Sequence, residues 1–176
     1  MIEREGFFAR QFFIPALTNF KDKFVFIIGG GYDSRGVLRY DFDQNIVNQM
    51  PKLNRVRRFA SACSLGDAIY VYGGMNPEKK ESSFVSSIEM LTNCGASEYQ
   101  PTKPWVLMKL PNANGVNFPM TRGIFMPINS HEIAIIGRRG YTSEDYLFSC
   151  VFDTRAGTFK SSFPKRKFVL SAEAWH

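Results

Sequence analysis

Few residues of this chain could act as metal ligands or catalytic nucleophiles. Its 176 residues include two histidines, His131 and His176, and three cysteines, Cys63, Cys94 and Cys150, with no Cys-x-x-Cys pair. Zinc sites need clustered histidine, cysteine or carboxylate ligands, so we expect no metal and no cofactor. Two histidines support no serine–histidine–acid set, and the Gly-x-Ser-x-Gly motif is missing from the sequence. The sequence predicts no catalytic residues and a protein that is not an enzyme.

One glycine-rich segment looks superficially like a phosphate-binding loop. It is Gly-Tyr-Asp-Ser-Arg-Gly at residues 31–36. Val37 stands where a Walker loop requires lysine, and the residues after it predict a strand where that motif requires a helix. We therefore interpret the match as chance.

The cysteines and the start of the chain favour a cytoplasmic location. Cys63 and Cys150 lie in apolar segments and are expected in the core, whereas Cys94 lies in a polar insertion and is expected to be an exposed thiol. An odd number of cysteines without an Asn-x-Ser/Thr sequon suits a reducing compartment. Residues 1–6 do not begin a signal peptide, and no apolar stretch reaches the ~18 residues that would suggest a membrane span.

Basic side chains remain as the candidate recognition chemistry. Lys and Arg number 22 against 16 Asp and Glu, which leaves a formal net charge of +6. This moderate excess favours an acidic partner but does not predict binding to nucleic acid. Arginine suits such a partner because its planar guanidinium can grip a carboxylate through two parallel hydrogen bonds. Several arginines lie between apolar segments: Arg35, Arg55, Arg57, Arg58, Arg122, Arg138 and Arg139.

Three repeated apolar runs that end in glycine predict the elements that position these arginines. They are 23–30, 67–74 and 132–138. Each run has four or five apolar residues, rich in Ile, Val, Phe and Tyr, and this composition predicts a strand. The runs are apolar on both faces, so we expect each strand to lie between two layers.

Three further short segments accompany each run, which predicts four antiparallel strands per repeat. They are 12–17, 37–41 and 46–51 in the first repeat, 59–63, 87–91 and 105–111 in the second, and 123–128, 147–153 and 158–164 in the third. Short polar turns at 19–22, 65–67 and 129–131 join the first two strands of each repeat. We expect almost no helix, and loops at the polar insertions 76–84 and 92–104.

With this pattern the chain resembles the kelch family of β-propellers. Repeats of that family have an apolar strand ending in two glycines, then a Tyr-Asp pair, an aromatic residue and a closing proline. The corresponding residues here are Gly29-Gly30, Tyr40-Asp41, Val47 and Pro51, then Gly73-Gly74, Trp105 and Pro111, then Gly137, Phe152-Asp153, Phe159 and Pro164. Arg138 replaces one glycine and Met90-Leu91 replace one Tyr-Asp pair, so the resemblance is to a divergent member.

Local geometry predicts roles for several of these residues. Paired glycines suit a positive φ or a close approach to a neighbouring backbone. Asp41 and Asp153 are expected to accept hydrogen bonds from turn N–H groups. Trp105 and Phe159 are expected to fill the wedges between neighbouring sheets, and the smaller Val47 would leave the first junction less tightly filled.

We therefore expect an all-β fold, a partial kelch-type β-propeller of about three four-stranded antiparallel blades plus the first strand of a fourth. The blades of this single domain (1–176) would cover 12–53, 54–115 and 116–165, and 166–176 would begin a further blade. A propeller has four to eight blades, and three alone would expose two wide apolar faces. Further blades in cis or in trans are expected, and we favour a fragment of a longer propeller over a ring completed by other chains.

The resemblance also implies where a partner binds. In kelch proteins that recognise peptides, the positions just before the innermost strand and just after the glycine pair point into the binding mouth. The expected partner-binding residues are Arg58, Arg122, Arg138, Arg35, Arg139 and Tyr141. The alternative is an ordinary solvated surface, since acidic residues in the same loops can neutralise these arginines.

The predicted function is a non-enzymatic protein-interaction module, a scaffold that binds a protein partner through basic rim loops. The expected ligand is an acidic peptide, and neither nucleic acid nor membrane is expected as a partner. Two alternatives stay open: a fragment of an oxidase-like propeller enzyme whose active site lies outside this chain, and a structural subunit of a larger assembly.

Overall fold

The computed structural model describes residues 15–31, 34–78, 83–94, 104–108, 121–139 and 146–160. These ranges contain strands and turns but no helix, and therefore no helix that could cross a membrane. The strands are β1 (Ala16–Phe20), β2 (Phe24–Ile28), β3 (Val37–Asp41), β4 (Ile46–Gln49), β5 (Ser61–Leu65), β6 (Ala68–Tyr72), β7 (Met75–Asn76), β8 (Ser83–Phe84), β9 (Ile88–Thr92), β10 (Val106–Leu107), β11 (Thr121–Pro127), β12 (Glu132–Arg139), β13 (Tyr146–Asp153) and β14 (Thr158–Lys160).

The strands form three four-stranded antiparallel sheets and one small hairpin. Blade 1 has the strand order β1-β2-β3-β4, blade 2 the order β5-β6-β9-β10 and blade 3 the order β11-β12-β13-β14, while β7 pairs with β8. The innermost strand of blade 2, β5, contacts the innermost strands of both neighbours, β1 and β11. The predicted all-β fold of three blades is confirmed, and the structure is a partial β-propeller.

Each blade buries its faces against its neighbours. In β6, Ile69 and Val71 lie in the core between blades 1 and 2, whereas Ala68, Tyr70 and Tyr72 lie in the core between blades 2 and 3. All five side chains are buried. The prediction that this run lies between two layers is therefore confirmed, because a strand covered on both sides must be apolar on both faces.

The first strand lies later in the chain than predicted. It covers Ala16–Phe20, not 12–17, and residues 12–14 lie outside the described ranges. The chain turns at residues 21–23, since Phe20 pairs with Phe24, and Lys21 and Asp22 have positive φ values of 53° and 51°. The predicted turn began at the polar Asn19, although Phe20 beyond it is buried in the core.

The predicted loop at 76–84 is partly wrong, because β7 and β8 form a hairpin at its two ends. The other predicted strands start within two residues of the observed ones. Most of the insertion 92–104 and the expected fourth-blade strand at 166–176 lie outside the described residues.

Cys94 is buried, so its prediction as an exposed thiol is wrong. It follows β9, its Sγ lies 3.2 Å from the Leu91 carbonyl oxygen, and it belongs to the core between blades 1 and 2. Cys63 and Cys150 are buried in the core between blades 2 and 3, as predicted. Burial raises the pKa of all three thiols to about 12.

Candidate functional site

The predicted binding residues lie at one edge of the three sheets. At this edge the first strand of each blade begins, the second ends and the third begins, because neighbouring strands are antiparallel. We call this edge the glycine rim and define it as residues 29–31, 34–36, 53–60, 73–76, 121–123 and 137–139. Ser61 joins two blades beside it, since its Oγ donates a hydrogen bond of 2.6 Å to the Gly123 carbonyl oxygen.

Two glycines let the segment that connects blades 1 and 2 pass close to the backbone of this rim. Gly29 has a φ of +63° and Gly74 a φ of +91°. A Cβ atom at Gly29 would lie 2.6 Å from the Arg57 carbonyl oxygen, and one at Gly74 would lie 2.7 Å from the Arg58 carbonyl oxygen. Any larger residue would clash with backbone at both positions, besides having a disfavoured φ. The predicted close backbone approach is therefore confirmed.

Arg57 is a buried structural residue and does not face a partner. Its side chain is fully buried, and its Nε lies 3.0 Å from the Glu89 Oε1. One Nη atom donates a hydrogen bond of 2.7 Å to the Gly73 carbonyl oxygen, and the other donates one of 2.8 Å to the Ser87 Oγ. Burial lowers the pKa of the Arg57 guanidinium, and the Glu89 carboxylate acts in the opposite direction.

Glu89 of β9 ties the segment that connects blades 1 and 2 to blade 2, a role that was not predicted from the sequence. Its carboxylate also accepts hydrogen bonds from the backbone N–H groups of Asn54 (2.6 Å) and Arg55 (3.1 Å). The available signal was a charged residue in the otherwise apolar β9, at a position flanked by Ile88 and Met90. A buried carboxylate needs such partners, because an unpaired one would cost several kcal/mol.

Arg58, the neighbour of Arg57, lies on the rim at the boundary of blades 1 and 2. The half-buried side chain reaches blade 1, where Nε donates to the Ser34 Oγ (3.3 Å) and Nη2 to the Gly31 carbonyl oxygen (3.2 Å). Its backbone exchanges two hydrogen bonds, of 2.9 and 2.8 Å, with Met75 at the start of β7. Arg58 is thus held at the meeting point of the blade 1 glycine turn and the β7–β8 hairpin.

Arg35 lies at the same boundary and is exposed. Its Nε donates a hydrogen bond of 2.7 Å to the Leu53 carbonyl oxygen, and its own carbonyl oxygen accepts one of 2.9 Å from the Leu53 N–H. Arg35 directly follows Ser34, which Arg58 contacts. The structure therefore brings two predicted binding residues together here.

The predicted arginines of blade 3 form a second group on the rim. Thr121 pairs with Arg138, and the next pair is Ile124 with Ile136, so β11 carries one extra residue. This bulge places the backbone of Arg122 opposite that of Gly137, next to Arg138. Arg139 follows in β12 and pairs with Tyr146. Tyr141 lies outside the described residues.

The edge opposite the glycine rim has mixed charges that pair with each other. Lys21 contacts Asp67 at 2.5 Å, and Lys23 contacts Asp43 at 2.9 Å. The predicted turn role of Asp41 and Asp153 is confirmed there. Asp41 accepts hydrogen bonds from residues 43 and 44, and Asp153 accepts them from residues 155 and 156.

One group of potential metal ligands also lies on this opposite edge. It consists of His131, Glu132 and Asp153. The Lys160 ammonium contacts both carboxylates, at 2.5 Å from Glu132 and 3.0 Å from Asp153. Because the Lys160 ammonium already contacts both carboxylates, the group favours an ion-pair network over a metal site.

The predicted wedge residues fill the boundaries between blades. Trp105 is buried between blades 1 and 2, and its Nε1 donates a hydrogen bond of 2.8 Å to the Pro51 carbonyl oxygen. Phe159 packs against Tyr72 and Phe152 between blades 2 and 3. Val47 is 41% exposed and lies on the outer face of blade 1, so it takes part in no junction between the described blades.

Comparison with known proteins gives one family match. Residues 57–91 match the family model described as Kelch motif. The matched range begins at Arg57, includes Gly73 and Gly74, and ends in β9 after Glu89, so it corresponds to most of blade 2. No curated protein sequence matches the chain significantly.

Proposed function

We propose that this chain, a divergent kelch-repeat protein whose three blades form a partial β-propeller, is a non-enzymatic module that binds an acidic peptide or loop of a protein partner at its glycine rim. Kelch repeats are typically protein-interaction modules. The binding residues we propose are Arg35, Arg58, Arg122, Arg138, Arg139 and Tyr141. We divide the domain into blades at 12–53, 54–115 and 116–165, as the repeat pattern indicates.

The observation that carries this proposal is the segregation of charge between the two edges of the propeller. The six segments of the glycine rim contain seven arginines, which outnumber the five acidic residues of the loops that continue these segments, Asp33, Glu78, Glu81, Glu144 and Asp145. The buried Glu89 carboxylate pairs with Arg57, which is itself buried. On the opposite edge, by contrast, lysines contact carboxylates directly. An excess of one charge over a surface attracts a partner of the opposite charge.

The arrangement of the arginines also suits an extended ligand. Arg35 and Arg58 lie at the boundary of blades 1 and 2. Arg122 and Arg138 lie on β11 and β12 of blade 3, the next blade beyond blade 2. A peptide that crosses the inner strand of blade 2 would meet both groups. Bidentate hydrogen bonds from arginine would then recognise its carboxylates.

The test compares exposed arginines on opposite edges. Arg35→Glu reverses a charge on the glycine rim, and Arg155→Glu is its matched control because Arg155 is also exposed but follows Asp153 on the opposite edge. The probe is a fluorescein-labelled decapeptide of alternating Glu and Ser, with a Lys-Ser decapeptide as the charge control. Fluorescence anisotropy at 50 and 200 mM salt measures binding.

We expect the Glu-Ser peptide to bind more tightly than the Lys-Ser peptide, with an affinity that falls as salt rises. Arg35→Glu should weaken binding by about threefold to tenfold, and the triple variant Arg58→Glu/Arg122→Glu/Arg138→Glu should weaken it further. Arg155→Glu should leave it unchanged. Equal loss in the two single variants, or unchanged binding by a folded triple variant, would contradict the proposal.

A structural role is a second candidate, because large apolar side chains are exposed on the outer faces of blades 1 and 3. These faces favour packing against further blades in cis or in trans. Both roles suit the cytoplasm, the location we propose, where the thiols of Cys63, Cys94 and Cys150 would stay reduced.

A further inference from the structure

The outer face of blade 1 is apolar and partly exposed, although Leu38 on it is buried. Phe24, Phe26 and Ile28 of β2 point into the core with blade 2, so the alternating Val25 and Ile27 point to the other side. The register across the four strands places these residues on that outer face: Leu17, Val25, Ile27, Leu38, Tyr40 and Val47. Leu17, on the innermost strand β1, is 60% exposed.

The outer face of blade 3 is also apolar and exposed. Ile133 and Ile135 of β12 point into the core with blade 2, so Ala134 and Ile136 point away from it. The register places these residues on that outer face: Ile124, Met126, Ala134, Ile136 and Val151. Ile124 is 53% exposed and Met126 is 47% exposed, on the innermost strand.

The two outer faces are of opposite kinds. The second strands of blades 1 and 2 end just before Gly29 and Gly73, and Gly137 holds the corresponding position within β12 of blade 3. In blade 2, the residue just before this glycine faces blade 3 and the residue two before it faces blade 1. By the same alternation, the exposed face of blade 1 is the kind that receives a preceding blade, and the exposed face of blade 3 is the kind that receives a following blade.

Each exposed face is therefore one half of a contact that the chain already forms twice, at the boundaries of blades 1 and 2 and of blades 2 and 3. We propose that the occupant of both faces is a second copy of this chain, which packs the outer face of blade 3 of one copy against the outer face of blade 1 of the other. Two copies form two identical contacts of this kind around a two-fold axis.

Closure requires a plausible blade number and compatible surfaces. Three blades from each of two copies make six, within the range of four to eight for propellers. A head-to-tail contact of this type closes into a ring when the rotation per copy completes a circle, which for two copies is half a turn each. The register also places Glu132, Asp153 and Lys160 on the outer face of blade 3, at the edge opposite the glycine rim, where Lys160 contacts both carboxylates, so a contact there would cover paired ions.

The first measurement is the mass of the 176-residue chain in solution by light scattering after size exclusion, from about 1 to 100 µM. A dimer would have twice the chain mass of 20.1 kDa, or 40.2 kDa. A monomer throughout this range would overturn the proposal and indicate that the covering blades come from elsewhere. Assemblies larger than a dimer would overturn closure at six blades.

Charge substitutions then test which faces meet. Leu17→Glu introduces a charge into the outer face of blade 1, and Ile124→Glu introduces one into the outer face of blade 3. Each copy supplies one face to each contact, so either variant alone should be monomeric, while a mixture of the two should recover a dimer through its one intact contact. Val106→Glu is the control, because Val106 is 52% exposed on the outermost strand of blade 2 and lies on neither outer face.

Dimerisation that survives one of the two variants would indicate a contact between like faces and would overturn the proposal. Monomeric mixtures would overturn it as well. All three positions are exposed, so circular dichroism should show unchanged β-structure. The rim variants Arg35→Glu and Arg155→Glu should keep the dimer mass, which separates failure of this inference from failure of the peptide-binding proposal.

Discussion

The two boundaries between blades are built from different side chains. Between blades 1 and 2, a buried ion pair of Arg57 and Glu89 lies next to an apolar core, and the connecting segment contributes Met50 and Leu53 to that core. The Nε1 of Trp105 donates a hydrogen bond to the Pro51 carbonyl oxygen of this segment. This boundary therefore depends on specific polar partners.

Between blades 2 and 3, the described residues contribute aromatic rings to the core. Tyr72 stacks on Phe125 with ring centroids 5.9 Å apart, and Phe152 packs against Phe159 at 5.3 Å. Phe152 and Ile133 are fully buried in the same core. Such contacts are non-directional and adapt to modest changes of shape.

At the boundary of blades 1 and 2, the segment that connects the two blades passes between them, and its backbone N–H groups at Asn54 and Arg55 need acceptors, which Glu89 provides. A purely apolar surface would leave them unpaired at a cost of about 1–3 kcal/mol each. Among the described residues, the two boundaries therefore differ in chemistry, and we expect them to respond differently to substitution.

The largest expected effect is at the polar boundary. Arg57→Ala leaves the Glu89 carboxylate buried without its ion-pair partner, and we expect the free energy of unfolding to fall by about 3–5 kcal/mol. Urea denaturation followed by circular dichroism measures this change. Arg55→Ala, at an exposed neighbouring position, is the control and should change stability by less than about 0.5 kcal/mol.

A double variant sharpens this test. Arg57→Met/Glu89→Gln removes both charges but keeps an acceptor oxygen for the N–H groups of Asn54 and Arg55, so it should recover part of the loss because no uncompensated ion stays buried. Recovery should be incomplete, since the hydrogen bonds from Arg57 to the Gly73 carbonyl oxygen and the Ser87 Oγ are lost. A double variant less stable than Arg57→Ala would show that the ion pair is not the source of the effect.

A smaller effect is expected at the aromatic boundary. Phe152→Leu keeps the site apolar and removes part of a buried ring, so we expect a loss of about 1–2 kcal/mol in the same assay. Phe42→Leu is the control because Phe42 is 56% exposed. If Phe152→Leu lowered the free energy of unfolding as much as Arg57→Ala does, the two boundaries would not differ in their sensitivity to substitution.

The smallest effect concerns a charge at the edge of blade 3, outside both boundaries. Hydrogen bonds from the Ala156 N–H and contact with Lys160 lower the pKa of Asp153 from its ordinary value of 3.8 to about 2. A carboxyl with a lowered pKa stabilises the fold above the unfolded pKa, and this contribution disappears as the pH falls from about 4 to about 2.

Thermal unfolding at a series of pH values measures this contribution. Asp153→Asn should have a lower Tm than the wild type above pH 5, and the two curves should converge towards pH 2. Asp43→Asn is the comparison, because Asp43 is exposed in the corresponding turn of blade 1. A constant Tm difference between pH 5 and pH 2 would contradict the assigned role of the Asp153 charge.

Much of the fold could be predicted because its signals are local. The apolar runs before Gly29 and Gly73 predicted the second strands, and Asp41 predicted a turn. The end of β1 was missed because Thr18 and Asn19 are polar residues within a strand. Cys94 was misassigned because its burial depends on blade 1, which lies far from it in the sequence.

The repeat, the strand pattern and the basic character of one edge could be read from the amino-acid sequence, since alternation, glycine position and charge are properties of neighbouring residues. The different environments of two adjacent arginines, by contrast, depend on long-range contacts. Arg57 meets Glu89 across 32 positions and is buried, whereas Arg58 reaches Ser34 and Gly31 on the rim. Residues of the same type side by side differ only in what the folded chain brings to them, because the energy of a charge depends on its partners and its exposure to water.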